Sequence, residues 1–415
     1  MYDQRRVVIT GMGAITPIGL DLPTFWKNLV AGKSGTSFIT GFDASQHKCK
    51  VAAEIKDFDP LLHFEKKAVS RYERFVQFAI VASREAMKDA GFAEGSYDPN
   101  RFGVLIGSGC GGLEVVEKQV VVLNEKGPRR VTPLLIPLLI CNEAPGMVSI
   151  DLGLKGPNSC VVTACATGTH AIGDAAAIIA RGDAEAMVAG GCEAVITPLS
   201  IAGFGNMGAL SEETEHPETA SRPFDANRNG FVMGEGAGIM ILESLEHARK
   251  RGARIYAEVI GYGMSGDAYH ITAPSPGGEG GARAMKMALD VAKINPTEVD
   301  YINAHGTSTP LNDKLETQSI KAVFGDHAYK LAVSSNKSMI GHLIGAAGAV
   351  EAVATAMTIC NNVLPPTINY QTPDPECDLD YVPNVARERT VNVAASSSLG
   401  FGGHNTTIIL RKFNG

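Results

Sequence analysis

Two stretches of this chain share one plan. CVVTACATGTHAIGDAAAIIA, from Cys160, and LAVSSNKSMIGHLIGAAGAVEAVATAM, from Leu331, each run from an apolar strand through a polar turn into a helix rich in glycine and alanine. A helix without a polar face must be covered on every side. Its small side chains let it lie close to whatever covers it. Two such helices predict a helical layer buried between two sheets. The shared plan also predicts a duplication, with halves at 1–250 and 251–415. Near the ends of these halves, GEGAGIMIL and GFGGHNTTIIL both read as a Gly-rich turn followed by a strand.

The rest of the chain alternates in the same way. Strands are predicted at Arg6–Thr10, ending in a turn at Gly11-Met12-Gly13, and at Phe102–Ile106, Asn158–Thr163, Ala186–Ala189, Gly238–Leu242, Ile255–Ile260 and Val299–Ala304. Helices are predicted at Pro23–Ala31, at Arg74–Ala90 with a stop at Gly91, and at Cys165–Ala180. Short apolar strands alternating with helices point to α/β architecture with largely parallel, buried sheet.

Composition narrows the function classes. Glycine makes up 46 of 415 residues, about 11% against roughly 7% in an average protein. The glycines are aperiodic and sit between apolar runs, which excludes collagen and disorder. Lys+Arg is 37 against 44 Asp+Glu, a net charge of −7, so the global charge of a nucleic-acid binder is missing. The eight cysteines include no Cys-x-x-Cys pair, which argues against a structural zinc site of the usual spacing. The chain opens on MYDQRR with no apolar signal region. A soluble, reducing compartment with free thiols is expected: the cytoplasm, or an organelle stroma or matrix once a transit peptide is removed. Gly107–Gly112 fits G-x-G-x-x-G, but no acid follows at the end of a next strand, and no P-loop occurs. Nucleotide binding is not the reading.

Four segments carry residue types suited to acyl transfer. TACATG places Cys165 between a strand and a helix, where the helix N-terminus offers free N–H groups that favour a thiolate. NAHGTSTP places His305 at a strand's carboxyl end, where ligand crevices of open α/β sheets form, with the hydroxyls of Thr307 and Thr309 at hand. KSMIGH places His342 at the junction that duplication pairs with that of Cys165. LGFGGHN is a loop able to turn N–H groups toward an oxyanion. The other histidines read as structural, with His270 intermediate and His404 supporting the Gly-rich loop.

With Cys165, His305 and His342 in this order, the chain resembles the β-ketoacyl-[acyl-carrier-protein] synthases of the thiolase-like superfamily, synthase I/II type and most like synthase II. The resemblance runs from VVITGMGAITPIG to GFGGHN, through TACATG, SRPFDANRNGFVMGEGAG, DAYHITAP, NAHGTSTPLND and KSMIGHLIGAAG. It implies a thiolase-like fold, with duplicated α/β halves in a five-layer α-β-α-β-α sandwich, and a homodimer. It implies that Cys165 carries an acyl group, while His305 and His342, with Lys337, serve decarboxylation of a malonyl thioester. The N–H groups of Cys165 and Phe401 form the oxyanion hole. Thr307, Thr309, Cys110, Phe204 and Phe401 bind substrate. No organic cofactor is required; a structural cation is implied near Asn303, Glu316 and Glu351. The partner is acyl carrier protein in acyl and malonyl forms. It is acidic, so Lys66, Lys67, Arg71, Arg129 and Arg130 are candidates for docking it.

Two positions depart from the family pattern. Leu399 stands where an aromatic residue is usual, and Cys110 where a bulky aliphatic residue often lines the acyl pocket. Both put acyl-chain preference in question. The alternatives are a polyketide ketosynthase and a non-catalytic chain-length partner, which Cys165 argues against. A degradative thiolase would need a second cysteine late in the chain.

Overall fold

The computed structural model describes residues 5–93 and 95–415. Ten strands form one hydrogen-bonded sheet: β1 (Val7–Ile15), β2 (Phe102–Gly107), β3 (Asn158–Ser159), β4 (Ala186–Glu193), β5 (Gly236–Ser244), β6 (Ala257–Gly266), β7 (Tyr301–Asn303), β8 (Ala332–Ser334), β9 (Val393–Gly400) and β10 (His404–Arg411). Their order is β3-β2-β4-β5-β1-β6-β10-β9-β7-β8. Counted within its own half, each set of five has the order 3-2-4-5-1. The second strand is parallel to the third and fourth, and the fifth is antiparallel to the fourth and first, in both halves. The chain is therefore a duplicated α/β body. The halves join where Val7–Ile9 of β1 pair with Ala257–Val259 of β6.

Six helices make the layers. α1 (Arg74–Asp89) and α2 (Glu143–Leu152) cover one face of the first half-sheet, α1 lying on β1 and β5. α4 (Glu279–Ala292) lies on β6 and β10, with α5 (Pro310–Phe324) beside it. Between the half-sheets lie α3 (Thr167–Arg181) and α6 (Ala347–Asn361), which pack on each other and on strands of both halves. The result is the five-layer sandwich. The stretch Ile344–Asn361 is long and apolar enough to cross a membrane, but 83% of it is buried inside the fold. It is the central core helix.

Glycine explains how close the layers come. A Cβ at Gly168 of α3 would lie 2.6 Å from the backbone nitrogen of Ala349, and one at Gly348 of α6 would lie 2.0 Å from Thr169 Oγ1. The two central helices thus meet backbone to backbone at their N-terminal ends.

The same logic corrects one expectation. Gly11-Met12-Gly13 is no turn: β1 runs through it to Ile15, with one register shift between Ile9 and Gly11. These glycines make room for α1. A Cβ at Gly13 would come within 2.1 Å of the Ala82 carbonyl oxygen. Glu85 and Asp89 of α1 then accept from the N–H groups of Ala14 and Met12 at 3.0 and 2.9 Å. α1 itself ends at Asp89, with Gly91 at φ 72° just beyond.

A second correction concerns Asn158–Thr163. Only Asn158 and Ser159 pair as strand. The chain then turns, because Thr163 N donates to Thr167 Oγ1 at 2.8 Å and Ala164 takes a left-handed φ of 51°. The strand is released early so that Cys165 can stand in a tight turn (Ala164–Ala166) ahead of α3.

Gly13→Ala is expected to destabilise the protein by about 1–3 kcal/mol through overpacking against α1. A urea titration reads this as a lower midpoint at unchanged slope. An unchanged midpoint would show that the β1–α1 approach is looser than described.

Candidate active site

The two turns that open the central helices are twins. Ala164–Ala166 precedes α3 and Ile344–Ala346 precedes α6. Each starts with a left-handed residue that is not glycine, Ala164 at φ 51° and Ile344 at φ 48°. Cys165 stands in the first elbow, 7% exposed. Its counterpart in the second is Gly345. His342 precedes that second elbow and is not itself the counterpart of Cys165.

Both histidines are set by their backbone. The N–H groups of His305 and Gly306 each donate at 2.7 Å to the Glu316 carboxylate of α5. Ser335 Oγ donates to Gly306 O at 2.7 Å. His342 N donates to Val232 O at 2.7 Å, and Gly234 N donates back to His342 O at 2.9 Å. The rings meet edge to face with centroids 5.2 Å apart. Ligand atoms of Cys165, His305 and His342 all lie within 4.8 Å of one another.

The outer ring nitrogens face donors. Lys337 Nζ, 1% exposed, donates to His305 O at 2.6 Å and lies 3.3 Å from His305 Nδ1; its third contact is Glu351 Oε1. Ile344 N donates to His342 Nδ1 at 3.3 Å. A neutral imidazole whose Nδ1 accepts must carry its proton on Nε2. Both rings thus point an N–H into the cavity. They are held neutral: burial, the Lys337 charge and, for His305, its partner ring keep them well below the usual imidazole range.

The thiol differs from the sequence expectation. Burial pushes Cys165 up to about 11, against the opposing pull of the Lys337 charge and the Phe401 N–H. Desolvation outweighs the helix terminus, so the resting cysteine is a thiol rather than a thiolate.

The Gly-rich loop is a tight hairpin between β9 and β10. Gly402 and Gly403 take left-handed φ of 84° and 75°. Gly402 N donates to Ile271 O at 2.8 Å, and Asp267 N to Gly403 O at 2.9 Å, tying the loop to DAYHITAP. A Cβ at Gly400 would lie 3.3 Å from Cys165 N. This close approach brings the Phe401 and Cys165 amides to one spot.

A cavity of about 320 Å³ opens on these groups. Cys165, His305, His342, Phe401 and Phe204 line it, with Thr307 and Thr309 on one side and Leu399 on another. The two threonine hydroxyls are 2.9 Å apart. Between them Ser308 is left-handed at φ 70°, and Asp313 fastens it by accepting from Ser308 N at 3.2 Å and Phe224 N at 2.8 Å. Arg228 donates to the carbonyls of Thr309 and Pro310 at 3.2 and 2.9 Å.

Other expected residues fall elsewhere. Cys110 does not line the cavity; it packs with Phe204 against a cluster containing Ile344 and Phe231. Lys66, Lys67 and Arg71 are exposed around a short helix, and Arg129 and Arg130 on a turn; none lines the cavity. Glu316 accepts a backbone N–H on each oxygen and so anchors the His305 loop. Among the described residues, the buried oxygens without partners include Asn303 Oδ1, Glu351 Oε2 and Ser396 Oγ. Asn303 and Ser396 are register partners, and Asn303 Nδ2 donates to Glu351 O at 3.2 Å. Each of the three unpartnered oxygens is of the type a hard cation takes. Sequence reading missed Ser396, Asp313, Arg228 and Glu193. An acid closing a strand that should be apolar, as in AMVAGGCE, was the available signal for Glu193.

A duplicated α/β body with a cysteine elbow facing two imidazoles between its halves has the architecture of the thiolase-like condensing enzymes. The chain belongs to the β-ketoacyl synthase family: its N-terminal domain matches residues 4–248 and its C-terminal domain residues 256–371. The chain is 54% identical to 3-oxoacyl-[acyl-carrier-protein] synthase 2 of Synechocystis over 411 residues, covering 99% of both chains. It is 54% identical to the protein of the same name in Staphylococcus aureus, covering 100% of both. Among solved structures, it is similar to a type II polyketide ketosynthase in complex with its acyl-carrier protein, with TM-score 0.92 and 39% identity over 99% of this chain and all of that one.

Alkylation of Cys165 by iodoacetamide, followed on its peptide by mass spectrometry, is expected to rise about tenfold per pH unit from pH 7 to 9, because only the thiolate reacts. Lys337→Met should slow it at every pH. A plateau below pH 8 would overturn the buried-thiol reading.

Proposed function

We propose that this chain is a β-ketoacyl-[acyl-carrier-protein] synthase of fatty acid elongation, joining an acyl group held on Cys165 to a malonyl unit with loss of CO2. The carrying observation is the convergence of Cys165, His305 and His342 within 4.8 Å in one buried cavity, with both imidazoles offering Nε2–H.

The steps follow from the atoms. Cys165 sulfur attacks the carbonyl of an acyl thioester, and its proton leaves with the departing carrier thiol. The oxyanion of that tetrahedral state sits on the N–H groups of Cys165 and Phe401. A malonyl thioester then binds with its carbonyl oxygen at His305 and His342 Nε2–H. The bond to its carboxylate breaks, CO2 leaves, and the electron pair moves onto that oxygen, where two neutral donors stabilise it. The carbanion attacks the acyl carbonyl, the same amides hold the new oxyanion, and collapse expels the Cys165 sulfur, which is reprotonated. Lys337 positions His305 and fixes its tautomer. Thr307 and Thr309 hold the amide-bearing arm of the substrate. Asn303, Glu351 and Ser396 would hold a structural cation, which would balance the free oxygen of Glu351 beside Lys337.

Acyl carrier protein is the partner, with Lys66, Lys67, Arg71, Arg129 and Arg130 as candidate contacts for its acidic surface. We read the working form as a homodimer. Support comes from the open edge of β3 and from exposed Val120, Val121, Ile136 and Ile150 in the preceding segment. The compartment is read as cytoplasm or an organelle stroma, in keeping with eight free thiols. Polyketide synthesis is the second reading, because the similar solved structure serves that chemistry. The higher identity to the elongation enzymes favours the first.

Mass spectrometry after incubation with a panel of acyl thioesters is expected to show one acyl group on Cys165, and none on Cys165→Ala, which should condense nothing. Full activity of that variant would sink the assignment. Because the imidazoles are neutral donors, malonyl decarboxylation should show no titration step near pH 6.5. His305→Ala and His342→Ala should each lower it by about 100- to 1,000-fold, the usual cost of one oxyanion donor. Normal decarboxylation by both, or a wild-type step at pH 6.5, would remove the role given to the pair.

A further inference from the structure

The duplication gives the cysteine elbow a twin, and the twin is filled. At the first elbow, Gly400, last residue of β9, lies against Cys165 N and leads into the Phe401 amide. At the second elbow the matching strand is β4, and its last residue is Glu193. β4 and β9 are both eight residues long and hold the same place in their half-sheets. The amide that corresponds to Cys165 N is Gly345 N, and it donates to Glu193 Oε2 at 2.9 Å. Gly109 N donates to the same oxygen at 2.7 Å. Ser108 Oγ and Cys110 N donate to Oε1 at 2.8 and 3.3 Å. Four donors thus converge on a carboxylate with no exposed surface.

We propose that Glu193 is a positioning residue: its carboxylate plugs the second half's counterpart of the oxyanion hole, and in doing so sets the Ser108–Cys110 loop, which lies behind the acyl cavity, against the loop that carries His342. That loop backs the cavity lining: a Cβ on Gly109 would lie 3.1 Å from Ile344 Cγ2, and Cys110 and Phe204 both pack against the cluster that contains Ile344. Phe204 and Ile344 both line the cavity. Ile344 is a β-branched residue at φ 48°, a strained conformation that persists only where its surroundings fix it. Its neighbour Gly345 is fixed by Glu193, and its own N–H by His342 Nδ1. A Cβ on Gly109 or Gly345 would come within 2.8 or 2.7 Å of Glu193 Oε2, so the carboxylate is wedged between the two loops. Its negative charge also opposes ionisation of Cys165 and Cys110.

The inference rests on reading Cys165 as the acyl carrier, so wild-type acyl loading is measured in parallel. Glu193→Gln keeps the shape but puts an NH2 group among N–H donors. It is expected to raise KM for acyl substrates of ten or more carbons at least fivefold, with a smaller change for short chains and in kcat. It should also move the Cys165 alkylation profile to lower pH, since a nearby negative charge is gone. Glu193→Ala, which leaves four donors facing an empty space, should regain loading activity with added formate but not chloride. Unchanged chain-length dependence and alkylation profile in a folded Glu193→Gln variant overturn the proposal. So do variants whose only change is a lower melting temperature, and a Glu193→Ala variant that formate does not restore. Failure of the wild type to load Cys165 would instead overturn the reading of the nucleophile.

Discussion

One buried ammonium group ties the site together. Lys337 Nζ meets Glu351 of the central helix α6, the His305 carbonyl and the His305 ring. An isolated buried charge is very costly, and a buried ion pair is tolerated only when its hydrogen bonds are complete. Here all three ammonium protons have a partner. Removing any partner strands a charge, so the His305 loop, the β8–α6 connection and the core helix must form together. Burial raises the Glu351 carboxyl to about 7 even though the ammonium pulls it down.

Duplication supplies that geometry twice and the halves use it differently. Both elbows begin with a left-handed residue, open a glycine-bearing central helix and face the end of the fourth strand of their half-sheet. In the first, a glycine strand end leaves the elbow amide open to the cavity. In the second, an acidic strand end closes it. Lys337 and His342 belong to the second half but lie close to the cysteine of the first, and Glu351 holds Lys337. A single site follows from two similar halves because each lends the other what its own elbow lacks.

Much of this could be read from residues alone, and the failures share a physical cause. The buried helices were legible because an all-apolar, small-residue helix has one solution, a position between sheets. Cys165, His305 and His342 were legible as chemically reactive side chains in short motifs that follow apolar strands. Gly11 and Gly13 misled because a glycine that admits a helix and a glycine that makes a turn look the same in one dimension. The strand at 158–163 ended early because Thr167 Oγ1 captures Thr163 N, a contact that periodicity does not report. Cys110, Glu316, Glu193 and Ser396 were misplaced or missed for a related reason. Their roles depend on what surrounds them in three dimensions: Glu316 is set by amides of a loop ten and eleven residues before it, and Glu193 by amides 84 and 152 residues away.

The polarity of these surroundings also decides what the cysteine and two histidines can be. Cys and two His within 4.8 Å match the donor set of a catalytic zinc site. Zinc would bind through Nε2, which must then lose its proton, leaving the proton on Nδ1. A zinc-bound histidine accordingly gives its outer N–H to a carboxylate or carbonyl acceptor. Here the groups at the outer nitrogens are the Lys337 ammonium and the Ile344 N–H, both donors. An Nδ1–H would face another N–H at 3.3 Å on each ring. Metal ligation and oxyanion donation thus require opposite tautomers, and the second ring of contacts selects donation. What distinguishes this site from a metal centre is the direction of two hydrogen bonds behind the rings, more than the identity of the three residues in front.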